Sequence, residues 1–474
     1  MDLLLDLLLA QVLMGAFDTI YHHELVAALP RSEAAKIELE IHSARSILYA
    51  FLFAGLAWFA FGGAYLWALW LLVLAEIILT LADFLVEDRT RLLPKSERVL
   101  HTLLAINYGA ALLLLALQSL EWRLLPTELV RVDYGWKSWA LTLAAVGTLI
   151  SGARDGLAAR ALGRLPKARP LDLGAPYRRL LVAGGTGFIG TELVRRLLAG
   201  GHDVTVVSRD PVRAAFLFGG AVRSVASARS LSADERYDAI VNLSGAPVVG
   251  SPWTLARKRA LVESRLASIE DLMAFARRAS ARPPVWIQAS AIGYYGQSAV
   301  NIAEEVPAEV SDFPSALCHD VEEKSAEAAA LGMRIVALRL GLVLGRSGGS
   351  LPPLLLGLRC GFGAVIGSGR QFLSWIHIDD ALETIAHAIR DPRLWGPVNA
   401  VAPEAATYET FIRTAGEALR RPVWLKVPER ALRLCLGEMA TMLVDGPCVL
   451  PGKLRRIGPP FRYPTLRAAL GNLA

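Results

Sequence analysis

The sequence predicts an α-helical bundle of membrane-spanning type followed by an α/β domain built on a doubly wound parallel sheet. Three observations carry this. The first 170 residues hold several apolar runs near spanning length. Residues 178–190 read RRLLVAGGTGFIG: a short apolar run, a cluster of glycines and the start of a helical pattern. Beyond them strand-like runs alternate with helical periodicity, the pattern of a parallel sheet covered on both faces.

The totals agree. A chain of 474 residues is too long for one ordinary domain. Hydrophobic residues make up 54% and mean hydropathy is +0.40, high for a chain wholly in water, so part of it is expected in lipid. Net charge is +6 and the pI about 9.2. No Lys/Arg run is interleaved with aromatics, so the basic excess suits a membrane surface and not nucleic acid. The four cysteines (Cys318, Cys360, Cys435, Cys448) form no CxxC. They read as reduced thiols in a cytosolic compartment, which excludes a disulfide framework and a zinc site. The expected division is a membrane module over 1–165, a linker over 166–176 and an α/β domain over 177–474.

In the module the apolar runs fall near Leu3–Ile20, Ile47–Leu69, Leu71–Val86, Leu100–Leu120 and Trp139–Ala153. The first contains Asp6, Gln11 and Asp18, and the last is short. Leu3–Leu9 lacks a basic flank and no small-residue cleavage site follows, so no signal peptide is expected. Five spans place three basic segments on one side. They carry Arg31, Lys36 and Arg45; Arg89, Arg91, Lys95 and Arg98; and Arg154, Arg160, Arg164, Lys167 and Arg169. The other side has a bare N-terminus, the Gly62-Gly63 turn and a mixed loop with Arg123, Arg131 and Lys137. The positive-inside rule then puts the α/β domain in the cytoplasm, on the inner face of a bacterial-type inner membrane. Leu162–Pro176, with three prolines and several basic residues, reads as the linker.

Polar residues inside the runs stand out. Asp18 and His22 are four apart, as are Glu38 and His42; Glu76, Asp83 and Glu87 recur at seven and four. Each set lies on one helix face, and His101 opens the fourth span. All of them sit at or near the expected cytoplasmic ends. Carboxylates and histidines at helical spacing in a bundle are how di-iron and related sites are built, so iron or manganese is one reading. A structural ion-pair network is another, since no Glu-x-x-His pair occurs. Quinone or lipid contact is a third.

In the second half the glycine cluster comes first. Gly184 allows a sharp turn, Gly187 lets backbone approach a pyrophosphate, and Gly190 lets the helix pack on the strand; Gly185 and Thr186 complete the turn. The helix start then offers free N–H groups to phosphate. Asp203–Val207 alternates as a strand and ends in Ser208-Arg209, where an NAD-binding unit normally has an acid. Arg209 suits a 2′-phosphate, which favours NADP(H) over NAD. Tyr237–Gly245 is a buried strand ending in small residues, and WTLARK (253–258) opens a long helix. Arg257, Lys258 and Arg265 suit phosphate or a substrate acid, or are solvated helix charges. VWIQAS (285–290), AIGYYG (291–296), a strand over Ile335–Leu340 and the glycine-rich Gly341–Gly349 follow.

These segments resemble the atypical short-chain dehydrogenase/reductases of the NAD(P)-dependent, sugar-nucleotide epimerase-like type. The shared marks are GGTGFIG (184–190), VNLSGAP (241–247), WTLARK (253–258), ASAIGYYG (289–296), LRLGLVLG (338–345), GSGRQFLSWIHIDD (367–380), GPVNAVAP (396–403) and LGEMATMLVDG (436–446). The resemblance spans about 178–474 and leaves the membrane module uncovered. It implies an extended Rossmann fold, with residues from about 345 to 474 forming a substrate lobe. It also implies a phosphate loop of Gly184, Gly187 and Gly190 with Phe188 and Ile189, and Ser208 and Arg209 at the adenosine end. Asn242, Ser244 and Gly245 would flank the nicotinamide ribose, and Ser290 would bond a substrate oxygen.

One departure stands out. The Tyr-x-x-x-Lys pair of short-chain dehydrogenases is missing, a replacement that typifies the atypical group, and Cys318 and Glu322 take that spacing on the helix expected over Pro314–Leu331. Candidate acid–base groups are then Cys318, Glu322, Tyr294, Tyr295 and His377, each with a plain structural role open to it. Arg370, Gln371 and Trp375 are expected on the substrate side. The sequence supports an NADP(H)-dependent oxidoreductase or epimerase acting on a small carbonyl or sugar-like substrate, tethered to the bilayer. Two alternatives stand beside it. One is a fused redox system passing electrons from the α/β domain to a metal or quinone among the helices; the other is a non-catalytic NADP sensor.

Overall fold

The computed structural model describes residues 1–474 except 27–28, 32–34, 91–92, 165–168, 249–250, 297–300, 308–309, 347, 360 and 474. Arg91, Lys167, the start of the expected linker (166–168) and Cys360 therefore lie outside the described residues, as do the side chains of Arg31, Arg89 and Cys435. The chain divides into two compact units, Met1–Lys167 and Ala168–Ala474.

The first unit has five long helices: α1 (Asp2–Phe17), α2 (Lys36–Trp58), α3 (Tyr65–Thr90), α4 (Lys95–Trp122) and α5 (Trp136–Gly163). α1 runs on into a π-helical segment, Asp18–Val26. Among the described residues three helices are long and apolar enough to cross a membrane, Asp2–Glu24, Tyr65–Asp88 and Lys95–Trp122. The second expected run, Ile47–Leu69, does not form one helix. α2 stops at Trp58, and Phe59–Phe61 pairs antiparallel with Leu129–Arg131. The chain then turns at Gly62-Gly63, where a Cβ on Gly62 would lie 2.1 Å from the Pro126 carbonyl oxygen. α2 and α5 approach closely through small residues: a Cβ added to Gly152 would lie 2.9 Å from Ser46 Cβ and 3.0 Å from the Ser43 carbonyl oxygen. The unit is inverted relative to a water-soluble domain. Leu13, Trp67, Leu71 and Leu143 are exposed, whereas Asp18, Glu38, Glu76, Asp83, Glu87 and Glu97 are buried.

The second unit is built on a seven-stranded, all-parallel sheet. Its strands are β1 (Arg179–Ala183), β2 (Asp203–Val207), β3 (Arg223–Val225), β4 (Ala239–Asn242), β5 (Val285–Ala291), β6 (Arg334–Leu340) and β7 (Gly396–Ala400). The spatial order is β3-β2-β1-β4-β5-β6-β7. Strand alternation splits the core in two. Leu180, Val182, Ala239, Val241, Val285 and Ile287 face one cluster with helices α6 (Phe188–Ala199) and α11 (Ile378–Arg390). Leu181, Ala183, Ile240 and Trp286 face the other with α8 (Leu255–Arg278) and α9 (Phe313–Ala326). Both faces are covered, so near-continuous apolar strands are what the architecture requires. The direction of winding reverses between β1 and β4, and their carboxyl ends are where an open sheet of this kind forms its ligand crevice.

The rest forms a lobe around a core of Leu344, Leu351 and Leu355 of α10 (Leu351–Arg359), Trp375, Phe411 and Leu470. It does not take all of 345–474: α11 and β7 return to the main sheet. The helix expected over Pro314–Leu331 ends earlier, at Ala326, and continues as a 3-10 turn over Glu327–Leu331.

Candidate active site

The crevice begins where β1 hands over to α6. Gly184 has φ +77°, and a Cβ there would lie 2.6 Å from the Leu243 carbonyl carbon and the Ser244 nitrogen at the exit of β4. A Cβ on Gly190 would lie 2.1 Å from the Gly184 carbonyl oxygen. These two glycines are fixed by the protein's own backbone. Gly187 differs, since a Cβ there would meet only the Gly184 carbonyl oxygen, at 3.3 Å. Gly187 caps α6 without a side chain. Its amide donates to Gly184 O at 3.0 Å, and the next closing bond is Thr191 N to Gly187 O at 2.8 Å. The amides of Phe188, Ile189 and Gly190 are first-turn donors with no acceptor among the described residues, a cradle for an anion. Gly185 packs on Val206 of β2, and Thr186 is half-buried beside it. The Phe188 ring turns away and fills the space beside Gly345, Gly348 and Gly349, where added Cβ atoms would come within 2.4–2.7 Å of it. The glycine-rich segment after β6 is thus a seat for Phe188, so only the backbone of Phe188 faces the turn.

At the end of β2, Ser208 bonds the Asp210 backbone and Arg209 is exposed, with no ion pair among the described residues. Asp210, the next acid in sequence, is committed elsewhere: its carboxylate accepts the Arg213 amide at 2.9 Å and caps α7 (Pro211–Leu217).

At the end of β4, Asn242 is fully buried. Its amide donates to Gln288 on β5 at 2.9 Å, and its oxygen accepts the Ser244 amide at 3.2 Å and hydroxyl at 2.5 Å. The Ser244 oxygen also accepts from the Ser268 hydroxyl of α8, 2.5 Å away. The Asn242 side chain therefore braces the loop from within and does not line the crevice. The same loop is fastened by α8: Ser264 accepts the Ala246 amide at 3.2 Å, and Arg265 donates to Ala246 O at 3.1 Å and Leu261 O at 2.9 Å. A Cβ on Gly245 would lie 2.8 Å from the Arg265 guanidinium carbon. Burial lowers the Arg265 pKa, and neither Arg265 nor Arg257 has a carboxylate partner among the described residues. Lys258 is different, being paired with Glu438 at 2.5 Å.

Ser290 lies on β5, two residues beyond the Asn242–Gln288 pair and on the same edge. Its hydroxyl donates to Glu322 Oε1 at 2.7 Å. Arg339 of β6, which is 3% exposed, grips Glu322 with two parallel bonds, Nε–Oε1 2.9 Å and Nη2–Oε2 2.8 Å. Burial alone would lower this guanidinium, but Glu322 more than reverses that and its pKa is raised. Arg339 also donates to the Tyr295 hydroxyl at 2.8 Å, which donates to Asn399 Oδ1 at 2.7 Å. Burial pushes the Tyr295 hydroxyl up and both its bonds are internal, so Tyr295 is a brace and not a proton donor. Tyr294 is stacked between His319, centroid to centroid 3.9 Å, and the Arg339 guanidinium 3.4 Å from its ring centre. Its hydroxyl has no bond to a described residue. Cys318, beside Ser290, is buried and its thiol is pushed up to about 11, chiefly by burial, so it is neutral at physiological pH. Sequence reasoning passed over Arg339. Its signal was there: one arginine inside the apolar strand IVALRLGLVL.

Two expected groups are elsewhere. Trp375 is fully buried in the core of the lobe, and Gln371 is tied to Ile366 O and Leu443 O; Arg370 is exposed. His377 is 1% exposed and caps α11, its Nδ1 accepting the Asp379 amide at 3.1 Å. The proton is then on Nε2, facing Asn472 Oδ1 at 3.2 Å. Burial lowers its pKa to about 4, which removes it as a proton donor. A lowered histidine pKa favours the folded state when neutral. The stabilisation is full above about pH 6.5 and fades as pH falls towards 4, by on the order of 3 kcal/mol. Chemical denaturation between pH 4 and 7 should show this slope in the wild type and a shallower one in His377→Gln.

In the helical unit the expected polar residues do converge. His22 Nδ1 is 2.8 Å and His101 Nε2 3.0 Å from Asp18. His42 lies 3.2 Å from Asp83, which also pairs with Arg45; Arg45 is 3.7 Å from Glu76. Thr80 donates to Glu76 at 2.6 Å and Thr90 reaches Glu38 at 3.4 Å. His101 Nδ1 is 3.5 Å from Glu87. His23 and Glu97, not singled out from the sequence, join the Asp18–His101 group.

Comparison with known proteins bears on the second unit. The profile of the NAD dependent epimerase/dehydratase family matches residues 180–400, and that of a domain of unknown function (DUF1731) matches 427–473. The chain is 36% identical over 297 residues to the bovine epimerase family protein SDR39U1, covering 98% of that protein and 62% of this chain. It is 33% identical over 296 residues to the epimerase family protein YfhF of Bacillus subtilis, covering 97% of it and 62% of this chain. The crystal structure of human SDR39U1 (isoform 2) with NADPH matches with a TM-score of 0.57 at 35% identity, covering 98% of that chain and 62% of this one.

Proposed function

Because the chain belongs to the NAD dependent epimerase/dehydratase family, in its atypical short-chain dehydrogenase/reductase branch, we propose that its second unit binds NADP(H) and works as an oxidoreductase or epimerase on a small, anionic carbonyl or sugar-like substrate. One observation carries the reading: the bare amides after Gly187 and the Ser290–Glu322–Arg339 set share the carboxyl edge of adjacent strands β1, β4 and β5. NADPH in the human relative supports the choice of cofactor. The residues fit it, since the Gly187 notch is open to a pyrophosphate and Arg209 has no competing carboxylate.

Bound there, the cofactor supplies or accepts hydride at its nicotinamide ring. The chain supplies the rest. The Phe188–Gly190 amides hold the pyrophosphate, and Arg209 holds the 2′-phosphate. Glu322, clamped by Arg339, accepts the hydrogen bond of the Ser290 hydroxyl and so orients the lone pairs of the serine oxygen into the crevice. The Tyr294 hydroxyl carries the exchangeable proton for the substrate oxygen. Arg265 and Arg257 offer the substrate an anion contact. Arg209→Glu is expected to weaken NADPH about 10–100-fold and NADH less than about threefold, read by fluorescence titration. Equal loss of both would contradict the 2′-phosphate contact.

The reading extends to the first unit. Three helices of spanning length, apolar exteriors and flanking basic segments support a bilayer anchor that keeps the α/β unit on the cytoplasmic side. The test is NADPH oxidation by the full chain in detergent, across carbonyl compounds with and without a carboxylate or phosphate. Turnover favouring the anionic members and indifferent to a chelator is expected. Loss on chelation would instead mark electron transfer into the helices, and tight NADPH binding without turnover would mark a sensor.

A further inference from the structure

The π-helical segment after α1 does something an α-helix does not. Its wider turn brings Asp18 and His23, five apart, to the same side. Across from them, Glu97 and His101 stand one turn apart on the first turns of α4. One ligand atom from each of the four lies within 4.8 Å of all the others. Three of the six edges are short: His101 Nε2 to Asp18 Oδ2 is 3.0 Å, His23 Nε2 to the same oxygen 3.4 Å, and His23 Nε2 to Glu97 Oε1 3.5 Å. Donors about 2.1 Å from a common ion, at angles of about 90–109°, are about 3.0–3.4 Å apart.

We propose that Asp18, His23, Glu97 and His101 bind one divalent first-row transition-metal ion.

Three further features support it. His23 Nε2 is buried and, despite two carboxylate oxygens at 3.4 and 3.5 Å, makes no hydrogen bond; it is aimed between them. The ligands have the outer partners that metal sites need. His101 turns its other nitrogen, Nδ1, to Glu87 at 3.5 Å. The second oxygen of Asp18 faces His22 Nδ1 at 2.8 Å, and His22 Nε2 faces Ser96 at 3.1 Å. Finally, the His23 ring is stacked on His42, 4.7 Å between centres, which fixes its direction. Two imidazoles and two carboxylates suit Mn²⁺, Fe²⁺, Co²⁺ or Zn²⁺ and disfavour Mg²⁺ and Ca²⁺, which prefer all-oxygen sets.

The probe is Co²⁺, added to tag-free full-length protein in detergent after chelator stripping. About one equivalent should bind per chain, with visible d–d absorption of a mixed nitrogen–oxygen site, and Ca²⁺ should not displace it. His101→Ala and His23→Gln should each weaken Co²⁺ at least tenfold while NADPH affinity stays as in the wild type. No saturable Co²⁺ binding by the wild type overturns the proposal, as does unchanged affinity in both variants. Should either variant fail to fold, the wild-type spectrum decides, because bands characteristic of an all-oxygen or aqueous ion contradict the histidine ligands.

Discussion

Gly187→Val is expected to reduce NADPH affinity at least roughly 100-fold while shifting the melting temperature by no more than about 2 °C. Gly190→Val is expected to do the opposite kind of damage, destabilising the chain by about 3 kcal/mol or more. The difference follows from what a Cβ meets. At Gly190 it would sit 2.1 Å from the Gly184 carbonyl oxygen and 2.8 Å from Gly185 Cα, backbone that cannot retreat without unseating α6 from the sheet. At Gly187 its nearest neighbour is one carbonyl oxygen at 3.3 Å, so the fold accepts a side chain and a phosphate does not. Titration of NADPH fluorescence beside a thermal melt separates the two. Equal loss of stability in both would mean that Gly187 too is fixed by packing, with no ligand needed to explain it.

Arg339→Met is expected to lower stability by about 3 kcal/mol, because it leaves the half-buried Glu322 without its cation. Glu322→Gln should also be costly, since it leaves Arg339, 3% exposed, without its anion, and the double variant Arg339→Met with Glu322→Gln should be more stable than Arg339→Met alone, since no unpaired charge remains. Denaturant unfolding of the four proteins reads this coupling directly. Turnover should fall in all three variants, because Glu322, the acceptor that orients Ser290, is either replaced or loses the Arg339 clamp that holds it. Additive losses would show that the two side chains act independently, contrary to their paired geometry.

The fold of the second unit was legible because its signals are local. The glycine spacing fixed β1, the turn and α6, and the apolar strands needed only the rule that a sheet covered on both faces shows little alternation. The strand–turn–helix at 179–199 was read from the same glycines, and each has the close neighbour or open face that its spacing implied. What stayed hidden depends on contacts across the sheet. Arg339 sits 17 residues from Glu322, on another element, and no periodicity joins them. His377 and Trp375 stood in a motif that reads as substrate-facing, yet one caps a helix and the other fills the lobe core. In the helical unit the four-residue spacings found Asp18 with His22 but missed His23, because a π-helical turn changes the period. The Gly62-Gly63 turn was visible, but the apolar run was carried through it.

The most direct measurement is a structure of the full chain with NADPH bound. The pyrophosphate should lie against the amides of Phe188, Ile189 and Gly190, with the 2′-phosphate beside Arg209 and the nicotinamide towards Ser290 and Tyr294. Density for the cofactor away from the β1–α6 turn, or with its nicotinamide turned from Ser290, would contradict the account.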